Sequence, residues 1–552
     1  MDSSGSLLFI NKTQASRLLS RSKAGERSAI LSHVQNNRRR HEAEVSQKPK
    51  PWSKFITTLP TSDQSDIPQT GRVSLKFVEL VDKRNPVESA AAKDEKTKEK
   101  KDGRLLSVAS SESLSTAVKP SYNASDPFHC TIAHLDAGTH STLHITFSHA
   151  SRANFLAESF APSSMLLQKT PMRHDRMFRL RLRRCVEDEK LMYSTLAYGS
   201  SLLGWMMGRF DSAKQPEYFL DKALRAVRAY LSAPGYKIDD WLLLSMYALA
   251  VTEMWNGLPL MWKQSPQRHA MVSRLGSHAF AACRMHLKAL LQVVNDAGGW
   301  EQFDPYVLDS VIMADKYLAV SEWKPPVIPI TWDPGPLPSS IREELAITGR
   351  SILPRLGTSL LSESLSKELE GVLQDLVAYC RIASEAWSCS SIEPEAECWL
   401  FRRSQAIACR LLLHLDNDEH MNRLERCICV ASLTFIFSSI LARGPQVSAQ
   451  HAAVRLCALL QEEPVPGEET DMPKGLRFWL LAMGSIASEA SPDHEWFLQQ
   501  LAEQCQGEVS QSIFEGRLES FLFLPSRQGS RLAQMIENLN SLVRKRWSFC
   551  GY

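Results

Sequence analysis

The residues best suited to chemistry are five histidines and one cysteine that lie close together in the chain. They are His129, Cys130, His134, His140, His144 and His149. Imidazole nitrogens and thiolates are the usual ligands of zinc, and His140 and His144 would share one face of a helix, a spacing that metal ligands use. No glutamate completes an H-E-x-x-H motif, and the sequence around Gly138 does not predict a helix. We therefore predict no metal site and interpret the stretch as a polar crossover into a helical domain.

The spacing of the cysteines also excludes the common zinc modules. None of the 12 cysteines precedes Cys130, and no C-x-x-C pair occurs anywhere in the chain. Zinc fingers, zinc ribbons and binuclear zinc clusters all require such pairs. We interpret the cysteines as reduced thiols, most of them small residues of a protein core.

Motifs for catalysis and nucleotide binding are missing as well. The chain has no G-x-S-x-G elbow, no P-loop and no G-x-G-x-x-G turn, and Tyr198-Gly199-Ser200-Ser201 resembles an elbow only superficially. The carboxylates Asp239-Asp240 stand where a helix would start, a position at which acidic side chains cap the helix and complement its dipole. The sequence therefore predicts no catalytic residue, no cofactor and no enzymatic activity.

Charge and composition divide the chain into a basic head and a slightly acidic body. Residues 1–120 carry 22 Lys and Arg against 14 Asp and Glu, a net charge of +8, while the other 432 residues have a net charge of −5. A basic head suits a polyanion or an import receptor. Residues 46–125 are rich in Lys, Ser, Pro and Asp, which predicts a disordered, charged linker.

The first 45 residues form a short basic motif segment. Ile30, Leu31 and Val34 would share one helical face, and three arginines follow: Arg38, Arg39 and Arg40. Cations at that end suit the negative pole of a helix dipole. The arginines are candidates for DNA binding or nuclear import. In the alternative interpretation, the helix docks on the rest of the protein and its arginines are only solvated.

From residue 126 to the end, apolar residues recur at spacings of three and four, which predicts an all-α domain. Pro216 would open one helix, Gly298-Gly299 would end another, and a proline-rich connector occupies residues 323–340. We predict helices over residues 216–231, 238–255, 273–294, 304–322, 359–385, 394–415, 421–442, 449–462, 474–487, 494–503 and 531–547. Runs of alternating β-branched residues, which would indicate strands, are scarce.

One apolar run is nearly long enough to cross a membrane. Residues 427–442 lie between Arg426 and Arg443, but these 16 residues fall short of the roughly 20 that a bilayer core requires. We predict a helix buried in the protein core and no membrane partner. Asp2 and the short apolar stretch behind it also argue against a signal peptide.

Five short motifs follow one another along the chain. They are Phe9-Ile10-Asn11-Lys12-Thr13, Ser32-His33-Val34 before the three arginines, Asp126-Pro127-Phe128, the segment HLKALLQVVNDAGGW from His286 to Trp300, and Asp315 with Pro325-Pro326 beyond it. Their order and spacing resemble the fungal-specific transcription-factor domain family, in particular its members without an N-terminal zinc binuclear cluster. The resemblance touches the head and residues 126–326.

The resemblance implies an all-α regulatory domain over residues 126–552, a nuclear location and the control of transcription, in relatives often of a metabolic or secondary-metabolite pathway. It implies as partners DNA, other transcription proteins and a second subunit in a homo- or heterodimer. Because the zinc cluster is missing, two routes to DNA stay open: weak direct contact through the basic head, or a DNA-binding partner. The alternative is a non-catalytic cytoplasmic scaffold that has kept a regulator-like helical body.

Overall fold

Helices make up the regular structure of every part of the chain that the computed structural model describes. The described residues are 137–550, apart from the gaps 150–152, 163–172, 208–215, 263–268, 346, 348–352, 417–420, 441–446, 463–471, 490, 492 and 506–509. They belong to a compact unit that spans residues 129–552. No strand occurs among the described residues, and the all-α class predicted from the sequence is confirmed. The candidate arginines of the head, Arg38, Arg39 and Arg40, lie outside the described residues.

The N-terminal half of this unit packs around one hydrophobic core. Its helices are α1 (Ala137–His149), α2 (Ala153–Glu158), α3 (Asp175–Cys185), α4 (Glu189–Met207), α5 (Pro216–Ser232), α6 (Asp240–Trp262), α7 (His269–Asp296) and α8 (Pro305–Glu322). Helix α6 is apolar on all sides along residues 242–251, and it contacts α4, α5, α7 and α8. A helix without a polar face belongs at the centre of a core, which is where α6 lies.

Helix α5 shows how the sequence pattern sets the packing in this half. Phe219, Ala223 and Val227 recur at four-residue spacing and are buried, whereas Asp221 and Arg225 are exposed. Because α5 has one apolar stripe and a charged opposite face, the stripe packs against the core and the charged face points to solvent. The predicted start at Pro216 is confirmed, since proline fits the first helical turn without losing a hydrogen bond.

The C-terminal half has a second core. Its helices are α9 (Ser339–Glu344), α10 (Lys367–Ala386), α11 (Pro394–Asp416), α12 (Arg423–Ser439), α13 (Val447–Gln461), α14 (Lys474–Ala487), α15 (Asp493–Gln504), α16 (Gln511–Leu518) and α17 (Pro525–Cys550). Helix α12 carries the long apolar run and is buried from residue 427 to residue 439, as predicted. Among the described residues, no helix has the length and apolar character that a membrane crossing requires.

Helices α8 and α11 contact each other and contribute side chains to both cores. The carboxylate of Asp304 caps α8 by accepting the Tyr306 N–H at 2.9 Å. Trp323 ends α8 in the left-handed conformation with φ of 54°, which is uncommon for a bulky residue. The predicted connector follows; it contains a short 3-10 turn, Ile330–Trp332, and its last two residues already belong to α9.

Some helices begin or end where the sequence did not predict. Gly138 lies inside α1, so the expectation of a non-helical stretch there is wrong. Helix α10 starts at Lys367 and not at residue 359, because the preceding backbone pairs with a distant segment. Gly357 donates its N–H to Phe521 O at 3.1 Å, and Ser359 donates its N–H to Ser520 O at 2.8 Å.

Candidate functional site

The motifs after residue 280 meet at a groove between α7 and the start of the connector. We call it the connector groove. One wall is a stripe of α7 side chains and the other is the backbone and side chains of residues 324–327; the α7 stripe consists of Arg284, Lys288, Leu291, Gln292 and Asn295. These positions lie three or four residues apart, so they share one face of the helix. The groove encloses a volume of about 420 Å³.

The turn after α7 sends the chain back so that both walls can form. Gly298 and Gly299 have φ of 95° and 110°, a region that favours glycine. The Gly299 N–H reaches back to Val294 O at 3.0 Å and closes the end of the helix. The predicted stop at these two glycines is confirmed, and α8 then places the connector against α7.

Positive charge gathers at one end of the connector groove. Arg284 donates its Nε–H to Glu322 Oε2 at 2.8 Å, and Lys324 donates to the other oxygen of Glu322 at 2.7 Å. Arg284 also donates to Pro325 O at 3.0 Å, while its buried Nη2 meets no acceptor among the described residues. Lys288 is exposed beside them. At the rim of the groove, one carboxylate, Glu322, therefore pairs with two cations, and a third cation, Lys288, lines the same groove.

A buried carboxylate holds the connector wall in place. Asp315, on α8, accepts the N–H groups of Val327 at 2.9 Å and Ile328 at 2.7 Å. Burial raises the pKa of Asp315 to about 6, because these hydrogen bonds and the charge of Arg284 offset only part of the cost of desolvation. Farther along, Arg403 of α11 binds both oxygens of Asp333 at 2.9 and 2.8 Å. The connector is thus tied to both helices that join the two cores.

A second basic surface lies on α3 and was not recognised in the sequence. Four of its arginines are exposed: Arg176, Arg179, Arg183 and Arg184. Arg179 and Arg183 have side chains that are 74% and 81% exposed, and their partners Asp175 and Glu187 are 2.5 and 3.9 Å away. Pairs between such exposed groups are weak and are screened by salt, so a phosphate can replace the carboxylate.

A buried charge cluster anchors the beginning of α3 to α8 and α11. Asp309 is fully buried and accepts hydrogen bonds from Arg173, from His174 Nε2 at 3.0 Å and from Arg402 Nε at 2.8 Å. Arg173 also binds Glu397. Burial would raise the pKa of Asp309, but the His174 hydrogen bond and the two arginines outweigh it and hold the pKa at about 2. The carboxylate is therefore ionised, and His174 is the donor.

The residues singled out first in the sequence do not form a site in the described part of the chain. His140 and His144 lie in α1, where His144 is exposed, and the described residues contain no group of three or more side chains placed to hold a metal ion. His129, Cys130 and His134 lie outside the described residues. Gly199 lies inside α4 against Thr146 of α1, so the motif around it is a helix contact and not an elbow.

The paired aspartates at the start of α6 and the cysteines have structural roles. Asp239 accepts the Leu242 N–H at 2.9 Å, as expected of a cap at the start of α6. Its neighbour Asp240 accepts the Asp304 N–H at 2.9 Å and so links the starts of α6 and α8. The ten cysteines from Cys185 to Cys505 form no disulfide, and seven of them are buried.

Comparison of the chain with protein-family models, with curated proteins and with solved structures found no match.

Proposed function

We propose that this chain is a nuclear regulator of transcription that contacts DNA phosphates, acting directly or beside a DNA-binding partner, and that it controls a metabolic or secondary-metabolite pathway. The observation that carries the DNA contact is the exposed arginine face of α3. Arg176, Arg179 and Arg183 recur at spacings of three and four, so their side chains form one stripe about 10 Å long. The order of the motifs that resemble the fungal-specific transcription-factor domain supports the rest of the proposal.

The α3 stripe suits a nucleic acid backbone better than it suits base recognition. Arginine presents a planar fork of donors that matches phosphate oxygens. Arginine can also bind guanine in the major groove, but α3 has an exposed leucine at position 180 beside the stripe and no amide side chain of the kind that reads adenine. Phosphate contacts fix position and orientation, whereas contacts to base edges give sequence preference. We therefore place target choice with a partner regulator or with the head that carries Arg38, Arg39 and Arg40.

The test is binding of the full chain to labelled duplex DNA, measured by fluorescence anisotropy between about 50 and about 200 mM salt. Removal of one phosphate-binding side chain should make the slope of log K against log salt shallower by about 0.9. We compare two triple variants, R176A/R179A/R183A and R38A/R39A/R40A, with the wild type. The matched control R225A/R228A/R355A removes three exposed arginines elsewhere and should leave the slope unchanged.

The outcomes separate the two basic regions. A shallower slope in the α3 variant assigns phosphate binding to α3, and the same effect in the head variant assigns it to the head. No binding at low salt removes direct contact and leaves the partner route. An equally shallow slope in the control would mean that net charge alone explains binding, and the assignment to α3 would be wrong.

Location in the cell tests the nuclear part of the proposal. We expect the tagged full chain to accumulate in the nucleus and to occupy chromatin near genes whose transcripts change when it is deleted. R38A/R39A/R40A should reduce nuclear accumulation if these arginines form the import signal. Steady exclusion of the wild type from the nucleus would instead favour the cytoplasmic scaffold.

A further inference from the structure

We infer that the connector groove binds a small organic anion, a carboxylate or a phosphate monoester with a short apolar body. The groove lies between α7 and residues 324–327, and its volume of about 420 Å³ falls within the roughly 300–1,000 Å³ of small-molecule sites. This inference does not rest on the proposed function, because binding is measured on the purified chain.

The charge of the groove selects an anion. Arg284, Lys288 and Lys324 line it, and the carboxylates that face them are Glu322 and Asp315. Both oxygens of Glu322 are occupied by Arg284 and Lys324, and both oxygens of Asp315 accept backbone N–H groups. None of these contacts pairs the exposed Lys288 with a carboxylate. A ligand oxygen can therefore accept from Lys288 and Lys324 without displacing a buried pair.

The other residues that line the groove indicate what the rest of the ligand is like. Leu291, Pro325, Pro326 and Val327 supply apolar surface next to the cations. Gln292 and Asn295 follow on α7, where Gln292 Nε2–H already donates to Asp296 Oδ1 at 2.7 Å and leaves its amide oxygen to the groove. Residues 288 and 295 lie about 10 Å apart along the helix axis. Charge at one end, apolar contact in the middle and amides at the other end fit a small elongated molecule. A bare ion would leave the apolar and amide portions unused.

The groove is also prepared before a ligand arrives. Asp315 pins the connector wall from beneath, and Arg284 ties the same wall to α7 through Pro325 O at 3.0 Å. Rigid walls reduce the entropy that binding would otherwise lose. The buried Arg284 Nη2 meets no acceptor among the described residues, although it belongs to the guanidinium that makes these two contacts.

The experiment is isothermal titration of the full chain with three probes: phenyl phosphate, inorganic phosphate and phenol. We expect phenyl phosphate to bind most tightly, inorganic phosphate more weakly, and phenol least. Binding by phenol as tight as that by phenyl phosphate would overturn the choice of an anion. Failure of phenyl phosphate to bind the wild type at millimolar concentration would overturn the site.

Variants locate the binding in the groove. K288A/K324A should weaken phenyl phosphate binding about tenfold or more, because charge-assisted hydrogen bonds are stronger than neutral ones. The matched control K367A/K474A removes two exposed lysines outside the groove and should leave the affinity unchanged. Q292E places a carboxylate on the α7 wall at an exposed position, so it should fold normally and also weaken binding. Equal affinity in K288A/K324A and in the control would refute the site.

Discussion

Two aspartates on α8 should respond to pH in opposite directions. Asp309 has its pKa held at about 2 by His174, Arg173 and Arg402, whereas burial raises the pKa of Asp315 to about 6. The ordinary value for both is 3.8. The two carboxyl groups differ in their partners: Asp309 faces cations, and Asp315 faces mainly neutral N–H groups. The free energy of unfolding should therefore depend on pH in two separate ranges, one for each of these aspartates.

The size and sign of each follow from the linkage between proton binding and folding. One pH unit corresponds to about 1.4 kcal/mol, so ionised Asp309 contributes about 2 kcal/mol that is fully present above about pH 4 and is lost as the pH falls toward 2. Asp315 binds its proton more tightly in the folded state than in the unfolded state. Its contribution therefore declines by about 3 kcal/mol as the pH rises from about 4 to about 6.

Asp309→Asn and Asp315→Asn separate the two effects. Asp309→Asn should reduce the free energy of unfolding at neutral pH by roughly 3–5 kcal/mol, because the largely buried Arg173 would keep only Glu397 and the half-buried Arg402 would lose its carboxylate. Asp315→Asn should remove the decline between pH 4 and 6. The assay is urea unfolding followed by circular dichroism across this pH range, and Asp221→Asn is the control because its pair with Arg225 is exposed and contributes at most about 1 kcal/mol.

Two results would refute this reasoning. One is an Asp309→Asn protein with the wild-type unfolding midpoint at neutral pH. The other is an Asp315→Asn protein that keeps the decline between pH 4 and 6. If Asp309→Asn fails to fold, Arg402→Gln can replace it, because this variant leaves Arg173 and His174 in place. Arg402→Gln should raise the pKa of Asp309, so the loss of stability in acid should begin at a higher pH than in the wild type. A loss of stability over the same pH range as in the wild type would contradict the role of the cluster.

Two further predictions concern packing and thiol reactivity. Gly484→Ala should lower stability by about 1–3 kcal/mol, because its new Cβ would lie 2.2 Å from the Phe497 ring. The control is Gly371→Ala, inside α10 with open space around it, which should leave the free energy of unfolding unchanged or raise it by up to about 1 kcal/mol. Equal thermal midpoints for the two variants would contradict the packing of α14 on α15. Burial raises the pKa of Cys185 to about 12, so iodoacetamide should label it only on unfolding, as peptide mass spectrometry can establish. Rapid labelling of the native protein at Cys185 would show that α3 does not stay packed.

The sequence predicted the helices whose ends carry strong signals. The turn at Gly298-Gly299 and the start at Pro216 were placed correctly, and α14 has the bounds predicted for it, Lys474–Ala487. Helix α3 was missed for a physical reason. Its buried face includes Arg181, which is 3% exposed and donates to Tyr306 OH at 3.0 Å. A pattern that counts arginine as polar cannot recognise that face.

The sites were only partly predictable because they depend on long-range contacts. The segment His286–Trp300, Asp315 and Pro325-Pro326 stood out as motifs, but nothing in their spacing showed that α7 and the connector would enclose a groove. The charge cluster around Asp309 could not be predicted from the sequence for a similar reason, since the partners of Asp309 lie more than 90 residues away on either side. Only a tertiary fold brings such groups together, whereas helix periodicity reports on neighbours within about two turns.

Helix α8 supports both basic surfaces through carboxylates, one fully buried and one largely buried. Asp309 holds the beginning of α3 through His174 and Arg173, and Glu322 holds the cations at the rim of the connector groove. A buried charge is unfavourable unless its partners are in place, so these contacts favour one arrangement of the surrounding helices over others. Changing the carboxylates should therefore disturb the surfaces by loosening their support. Changing exposed cations such as Arg179 or Lys288 leaves that support intact, so only those changes can tell a DNA contact from an anion site.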